Sequence, residues 1–192
     1  AETTFKPKKS SGSAKVTFTF NASSLKGKTI VVFEELYQED LKLAVHADIT
    51  DQDQTIYFPE IGTTAKDKET DMNLSQADKE VTLVDTVGYK NLLPGEEYVM
   101  TGTLMDKESG KPVEIDKKEV TAETTFTPKE SSGTVDVIFS FDGTSLAGKT
   151  VVVFESATYD GKEFATHADL EDNGQTIYFP EIATTAKDKA DG

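Results

Sequence analysis

His46-Ala-Asp-Ile-Thr-Asp-Gln-Asp-Gln54-Thr-Ile-Tyr-Phe-Pro-Glu-Ile61 returns later in the chain as His167-Ala-Asp-Leu-Glu-Asp-Asn-Gly-Gln175-Thr-Ile-Tyr-Phe-Pro-Glu-Ile182. A constant offset of 121 aligns the two copies without a gap, and residues 1–68 match residues 122–189 at 41 of 68 positions. Self-similarity at a fixed period indicates a repeat array. We therefore expect an excerpt of a longer array: residues 1–61 as the C-terminal half of one repeat, 62–182 as a complete repeat, and 183–192 as the start of the next.

The repeat is predicted to consist of β-strands. Apolar residues alternate in Val135–Phe141 and in its copy Val16–Phe20, which is the period of a half-buried strand. Further β-branched and aromatic runs are Val81–Val87, Glu97–Gly102, Lys118–Ala122, Thr150–Glu155 and Gln175–Phe179. Seven or eight short strands in about 120 residues, with no sustained helical period, predict an all-β fold of tandem immunoglobulin-like β-sandwich domains. The short connection Ile61–Thr64 predicts that adjacent repeats stack end to end.

Composition excludes several classes of partner. The net charge of −15 repels phosphate backbones and anionic lipid, so neither nucleic acid nor a membrane surface is an expected partner. No apolar run approaches the length of a membrane span, so no membrane insertion is expected in this excerpt. The chain has no cysteine, which rules out disulfides and thiol chemistry. These properties suit an extracellular shaft, although a cytosolic protein can share them.

Three polar residues recur at equivalent places: Glu34 and Glu155, His46 and His167, Gln54 and Gln175. Glu155 ends an apolar strand, so it lies either at the solvated tip or inside, where burial would favour its protonated form. The period-two face of Gln175 also carries Ile177 and Phe179, which predicts an inward glutamine that is hydrogen-bonded or used chemically. A lone histidine usually has only structural contacts, but recurrence beside identical polar residues favours a chemical role.

The acidic turn that begins at Asp169, and its copy at Asp48, offer oxygen ligands of the kind calcium prefers. The order of the possible ligands differs between the two copies, and the spacing of an EF-hand is missing. No metal and no cofactor are therefore predicted.

A family resemblance emerges when the motifs are combined. Val-Val-Phe-Glu155, His167-Ala-Asp with Gln175-Thr-Ile-Tyr-Phe, and Val84-Asp-Thr86-Val-Gly-Tyr89 together resemble the VaFE repeats of Gram-positive surface-anchored adhesins. The resemblance covers residues 1–61 and 62–182, which is nearly the whole chain. It implies immunoglobulin-like domains that form an internal Thr–Gln ester bond.

The resemblance also implies a role for each matched residue. Thr86 would be the nucleophile and Gln175 the acyl donor, with ammonia leaving as the ester forms. Glu155 would polarise the glutamine carbonyl, His167 would act as base or proton shuttle, and Asp116 would share a proton with Glu155. The residues themselves agree on a hydroxyl, an amide, a buried acid and a titratable base, which are the parts of acyl transfer, but they do not select Thr86 among the threonines.

The incomplete repeat departs from this pattern. It contains Glu34, His46 and Gln54 but no preceding Asp-Thr-Val-x-Tyr strand. We therefore expect residues 1–61 to need an N-terminal strand as partner, supplied by the same protein, another chain or a separate fragment; otherwise Gln54 stays unreacted.

The expected function is a stalk module on the cell wall of a Gram-positive bacterium, which crosslinks itself once, is not a turnover enzyme, and contacts neighbouring repeats of the same array. One alternative is an immunoglobulin-like surface module that binds a host protein or carbohydrate through its loops. Others are a hydrolase that uses Glu155 and His167, and a module with a Lys–Asn crosslink in place of the ester.

Overall fold

The computed structural model describes residues 1–187, and this part of the chain is built from fifteen β-strands and two 3₁₀ turns, Ser23–Leu25 and Thr144–Leu146. No helix in it is long and apolar enough to cross a membrane. Residues 183–187 form no strand; the rest of the predicted next repeat, residues 188–192, lies outside the described residues.

Residues 1–58 contain only short strands. These are β1 (Thr29–Val31), β2 (Glu34–Gln38), β3 (Leu41–His46) and β4 (Thr55–Tyr57). β1 pairs antiparallel with β4, and β2 with β3.

The strand predicted at Val16–Phe20 is not formed, and Phe18 and Phe20 are exposed. The physical reason is a missing partner. The counterpart of this segment in the complete repeat, Val137–Phe141, pairs with residues 81–85, and the offset of 121 gives residues 1–58 no counterpart of that partner strand. An isolated strand cannot satisfy its backbone groups and stays irregular.

The complete repeat holds the other eleven strands. They are β5 (Glu60–Asp67), β6 (Val81–Lys90), β7 (Tyr98–Asp106), β8 (Lys111–Pro112), β9 (Glu114–Ile115), β10 (Lys118–Glu119), β11 (Thr121–Phe126), β12 (Gly133–Phe141), β13 (Thr150–Tyr159), β14 (Lys162–His167) and β15 (Thr176–Tyr178). The predicted strand runs overlap β6, β7, β12, β13 and β15, with Gln175–Phe179 extending one residue beyond β15 at each end, whereas Lys118–Ala122 is divided between β10 and β11.

Two antiparallel sheets enclose one core. The first has the order β12-β6-β5, and the second has the order β11-β7-β13-β14, with β8 beside β7 and β15 beside β13. This is the predicted all-β, immunoglobulin-like sandwich, and the fold prediction is confirmed.

The core follows from alternation along the strands. On β6 the inward face carries Val81, Leu83 and Val87, and on β13 it carries Val151 and Val153, all nearly inaccessible to solvent. Each such side chain contributes about 1.5–3 kcal/mol on burial. The same two faces each carry one carboxylic acid, which is where the functional site forms.

β5 connects the two sheets. It pairs along its length with β6, and the Ala65 amide also donates to the Gly174 carbonyl at 2.9 Å, just before β15. The first strand of the repeat is thus held against the loop that precedes its last strand.

Candidate functional site

Two carboxylic acids face each other inside the sandwich. Asp85 lies on the inward face of β6 and is 0% exposed, and Glu155 lies on the inward face of β13 and is 2% exposed. Gly102 is the partner of Glu155 on β7, and a Cβ atom there would lie 2.5 Å from Cζ of Phe139. The missing side chain of Gly102 gives the Phe139 ring its place beside the acids.

The two acids hold a proton at neutral pH. Burial, together with the neighbouring Asp85 carboxyl, raises the pKa of Glu155 to about 10. Burial also raises the pKa of Asp85, although contacts with Glu155 and Gln175 oppose this shift. Of the two alternatives for Glu155, a solvated strand tip or a buried protonated acid, the structure supports the second.

Gln175 lies against this acid pair. Gln175 and Ile177 are 0% exposed and Phe179 is 1% exposed, so the predicted inward face is confirmed. The side-chain Nε2 of Gln175 donates to Oε2 of Glu155 at 3.4 Å, and its backbone carbonyl accepts from the Val153 amide at 3.0 Å. The side-chain amide is therefore fixed beside a carboxyl group that carries a proton.

Thr63 supplies a hydroxyl to the same cluster. On β5 its side chain shares the inward face with Ile61 and Ala65, and its Oγ1 is buried. Because Ala65 is the cross-strand partner of Asp85, Thr63 is the diagonal neighbour of that acid. Its hydroxyl lies close enough to Glu155 to favour a lower pKa of that acid, without completing a hydrogen bond to it.

The cluster concentrates unsatisfied polar atoms. Among the described residues, five buried side-chain oxygens lack a hydrogen-bond partner: Thr63 Oγ1, Asp85 Oδ1 and Oδ2, Glu155 Oε1 and Gln175 Oε1. Each unpartnered buried oxygen costs about 1–3 kcal/mol, and native proteins have few of them. A proton held between the acids satisfies part of this set, and a covalent bond from Thr63 Oγ1 to Gln175 would remove one further member, while Gln175 Oε1 would remain as the ester carbonyl.

His167 lies at the edge of the cluster. It is the direct cross-strand partner of Glu155, so both side chains point from the same face of the sheet. Its Nε2 lies 2.7 Å from Oδ2 of Asp172, and although burial opposes ionisation of Asp172, this hydrogen bond lowers the pKa of that carboxyl. Because a carboxylate only accepts, Nε2 carries the proton and Nδ1 is the nitrogen available to accept one.

Asp172 also organises the turn before Gln175. Its Oδ1 accepts from the Gly174 amide at 2.7 Å, and its carbonyl accepts from the Gln175 amide at 3.3 Å. One residue thus fixes both the histidine ring and the backbone of the glutamine.

The structure contradicts the predicted placement of Thr86 and Asp116. Thr86 lies on the exposed face of β6, where its hydroxyl donates to Oδ1 of Asp136 at 2.8 Å. Its neighbour Asp85 has the inward position, and successive side chains of a strand point to opposite faces. Asp116 is exposed in the β9–β10 turn with φ of 52° and does not meet Glu155. Of the residues predicted for the complete repeat, the structure brings together Glu155, His167 and Gln175.

The sequence contained signals for the three residues that were missed. Asp85 interrupts an otherwise apolar period-two face, as Glu155 does on β13. Thr63 belongs to Thr-Thr-Ala-Lys-Asp-Lys, which returns at residues 184–189. Asp172 is identical in the other copy, where it is Asp51.

Residues 1–58 reproduce the local part of this geometry. Glu34 pairs across β2 and β3 with His46, whose Nε2 lies 2.7 Å from Oδ2 of Asp51. The backbone carbonyl of Gln54 accepts from the Val32 amide at 3.0 Å, as the backbone carbonyl of Gln175 accepts from the Val153 amide. His46 is more exposed than His167, because residues 1–58 have no strands equivalent to β5 and β6 packed beside it.

The acidic turn uses its oxygens internally. Oδ1 of Asp169 accepts from the Glu171 amide at 2.9 Å, and Asp172 is engaged as described above. Within residues 1–187, no group of three or more acidic or histidine side chains is arranged to hold a metal ion.

A family model matches the chain twice. The model of the T-Q ester bond containing domain matches residues 1–58 and residues 59–179. No curated protein sequence matches the chain well enough to count as a relative.

Solved structures share the fold. The chain resembles a bacterial adhesin from Mobiluncus mulieris, described as containing intramolecular disulfide, isopeptide and ester bond cross-links, in two crystal forms. In one form the TM-score is 0.53 at 18% identity, and in the other it is 0.51 at 16% identity. In both, the match covers 64% of this chain and 57% of the adhesin chain. At this identity the similarity supports the immunoglobulin-like fold.

Proposed function

The chain belongs to the family of T-Q ester bond containing domains, and on that premise we propose that residues 59–179 form a structural module that joins Thr63 to Gln175 by an ester bond of its own making. The observation that carries this proposal is the cluster of five unpartnered buried oxygens, in which a threonine hydroxyl, a glutamine amide and a proton-holding acid pair meet. Because Gln175 is fully buried, a separate substrate has no access to it. The geometry therefore favours a reaction within the chain over turnover of a substrate.

The proposed reaction is an acyl transfer. Oγ1 of Thr63 attacks Cδ of Gln175; its proton passes to Nδ1 of His167 and then to the departing amide nitrogen. The C–N bond breaks, a C–O bond forms, and one molecule of ammonia leaves. No cofactor or outside reactant is required for this balance.

The acid pair and Asp172 assist this transfer. For the transfer, the Gln175 side-chain amide turns over so that Oε1, and not Nε2, meets Glu155. Glu155 in its protonated form then donates to this carbonyl, which makes Cδ more electrophilic and stabilises the charge that develops on oxygen. Asp85 keeps the proton on Glu155 by denying its charged form a favourable environment. Asp172 holds the His167 ring with Nδ1 available, which is the role a carboxylate has beside a catalytic imidazole.

The proposed biological role is that of a shaft segment of a bacterial surface adhesin, exposed outside the cell and anchored to a Gram-positive cell wall. Two observations support it: family membership and the fold shared with the Mobiluncus adhesin, which is itself described as carrying ester bond cross-links. An ester between β5 and the residue before β15 would carry force directly from the first strand to the last.

Single-molecule pulling tests this mechanical role. We expect the wild-type chain, pulled from its two ends, to show no extension from the loop between Thr63 and Gln175. The Thr63→Val variant should gain that loop, about 110 residues at roughly 3.3–3.6 Å each. Full extension of the complete repeat in the wild type would contradict the proposal.

A further inference from the structure

The junction between the two repeats contains a specific polar contact. Asn91, in the loop after β6, donates its side-chain Nδ2 to two backbone carbonyls of the preceding repeat, Lys28 at 3.1 Å and Phe58 at 3.2 Å. Its φ of 61° lies in the left-handed region, which asparagine tolerates better than most residues. The loop therefore presents one side-chain amide to the end of the repeat before it.

An ion pair accompanies this contact. Nζ of Lys90 lies 3.5 Å from Oε2 of Glu60, and the two residues are cross-strand partners on β5 and β6. The dipeptide Lys90-Asn91 thus meets the acidic residue and the two carbonyls at the junction.

The complete repeat ends in the same set of groups. The offset of 121 carries Lys28 onto Lys149, Phe58 onto Phe179 and Glu60 onto Glu181. The backbone geometry is also repeated: Gly27 donates to Phe58 at 3.0 Å and Gly148 donates to Phe179 at 2.8 Å. Phe58 in turn donates to Lys28, and Phe179 to Lys149, both at 2.9 Å.

The two ends differ in one respect. Within residues 1–187, the carbonyls of Lys149 and Phe179 each accept one backbone hydrogen bond, whereas those of Lys28 and Phe58 also accept from Asn91. A carbonyl oxygen has two lone pairs, so each of the far carbonyls can accept one more donor.

We infer that residues 148–149 and 179 form a docking surface for a following copy of this repeat, which binds through its counterpart of Asn91. The occupant is defined by the contact already present between residues 1–58 and the complete repeat, and by residues 184–187, which repeat 63–66 exactly. The consequence is a fixed angle between consecutive repeats, set by one asparagine per junction. This inference does not depend on the ester bond.

Distances between spin labels test the junction in the 192-residue chain. The chain has no native cysteine, so Lys26→Cys and Glu123→Cys, both exposed, label the two repeats specifically. We expect a narrow distance distribution that broadens at least twofold in Asn91→Gly, which keeps the positive φ and removes the donor. Asn73→Gly, at an exposed asparagine of the same repeat, is the matched control and should leave the distribution narrow.

An extended chain tests the far surface. The full chain followed by a further copy of residues 72–182 continues the repeat in register and holds two complete repeats. Labels at Glu123 and at its counterpart in the added copy should again give a narrow distribution. Replacing the added counterpart of Asn91 by glycine should broaden it, and melting curves check that both repeats remain folded. A broad distribution in the parent chain, or a narrow one in the glycine variant, would overturn the inference.

Discussion

Ala65 and Gly174 are joined by a backbone hydrogen bond of 2.9 Å between the first strand of the repeat and the loop before its last strand. Thr63 lies two residues before Ala65, and Gln175 directly follows Gly174. The bond therefore brings these two side chains to the inward side of the same contact. A hydroxyl and an amide that are more than a hundred residues apart are thereby held together before any reaction, and such positioning removes much of the entropic barrier to acyl transfer.

Asp85, and not Asp116, is expected to be essential for crosslinking. Asp85→Asn removes the acid that keeps the proton on Glu155, so the chain should retain the full mass of the unreacted protein. Asp116→Asn changes an exposed turn residue and should leave the reaction unaffected. Intact-mass spectrometry of both variants decides between them; a full ammonia deficit in Asp85→Asn would refute the role given to the acid pair.

Asp172→Asn should slow ester formation without unfolding the repeat. The asparagine still accepts the Gly174 amide through its oxygen but no longer fixes the histidine tautomer, and we expect a rate decrease on the order of 10²- to 10⁴-fold. The matched control is Asp169→Asn, which alters a carboxylate in the same turn that does not contact His167. The measurement is the time course of the mass deficit after refolding. Equal rates in the two variants would assign Asp172 a purely structural role.

The stability of the uncrosslinked repeat should decrease as pH rises. Burial and Asp85 raise the pKa of Glu155 from 4.5 to about 10, so between these values the folded chain binds a proton that the unfolded chain has lost. The contribution of Glu155 to the free energy of unfolding is fully present below about pH 4.5 and is lost as the pH approaches 10. Urea unfolding of Thr63→Val at several pH values should show this slope, and Thr63→Val with Glu155→Gln should show a smaller one. Equal slopes would contradict a protonated Glu155.

Loss of the crosslink should be costly to stability. The ester closes a loop of about 110 residues, and by analogy with disulfide loops it contributes about 5 kcal/mol. Thr63→Val is a suitable probe because Oγ1 of Thr63 has no hydrogen-bond partner to lose. Thr63→Ser keeps a hydroxyl and is the control. Chemical unfolding of the two variants measures the difference, and a difference below about 1 kcal/mol would show that the crosslink does not stabilise the fold.

The fold was predictable from the sequence because alternation and repetition are local signals. Gln175, Ile177 and Phe179 were placed inward by period two alone, and the repeat identified the glutamic acid and histidine that belong with them. The same rule applied to Val81-Thr-Leu-Val-Asp-Thr-Val87 places Asp85 inward and Thr86 outward. The match to the family motif alone does not distinguish these two orientations.

The partnership of Thr63 with Gln175 was not predictable in this way. It depends on how β5, at the edge of the first sheet, meets the loop before β15, a long-range relationship that the bond between Ala65 and Gly174 defines. The failure of residues 16–20 to form a strand has the same origin. A strand there requires a long-range partner equivalent to β6, which pairs with the corresponding residues 137–141.

Intact-mass spectrometry with peptide sequencing around Gln175 shows whether Thr63 and Gln175 are covalently joined, when it is applied to the wild type, Thr63→Val and Thr86→Val. We expect a deficit of one ammonia in the wild type and in Thr86→Val, mapped to a Thr63–Gln175 crosslink, and no such deficit in Thr63→Val. A deficit that survives in Thr63→Val, or that maps to Thr86 or to a lysine–asparagine pair, would contradict the proposed ester bond.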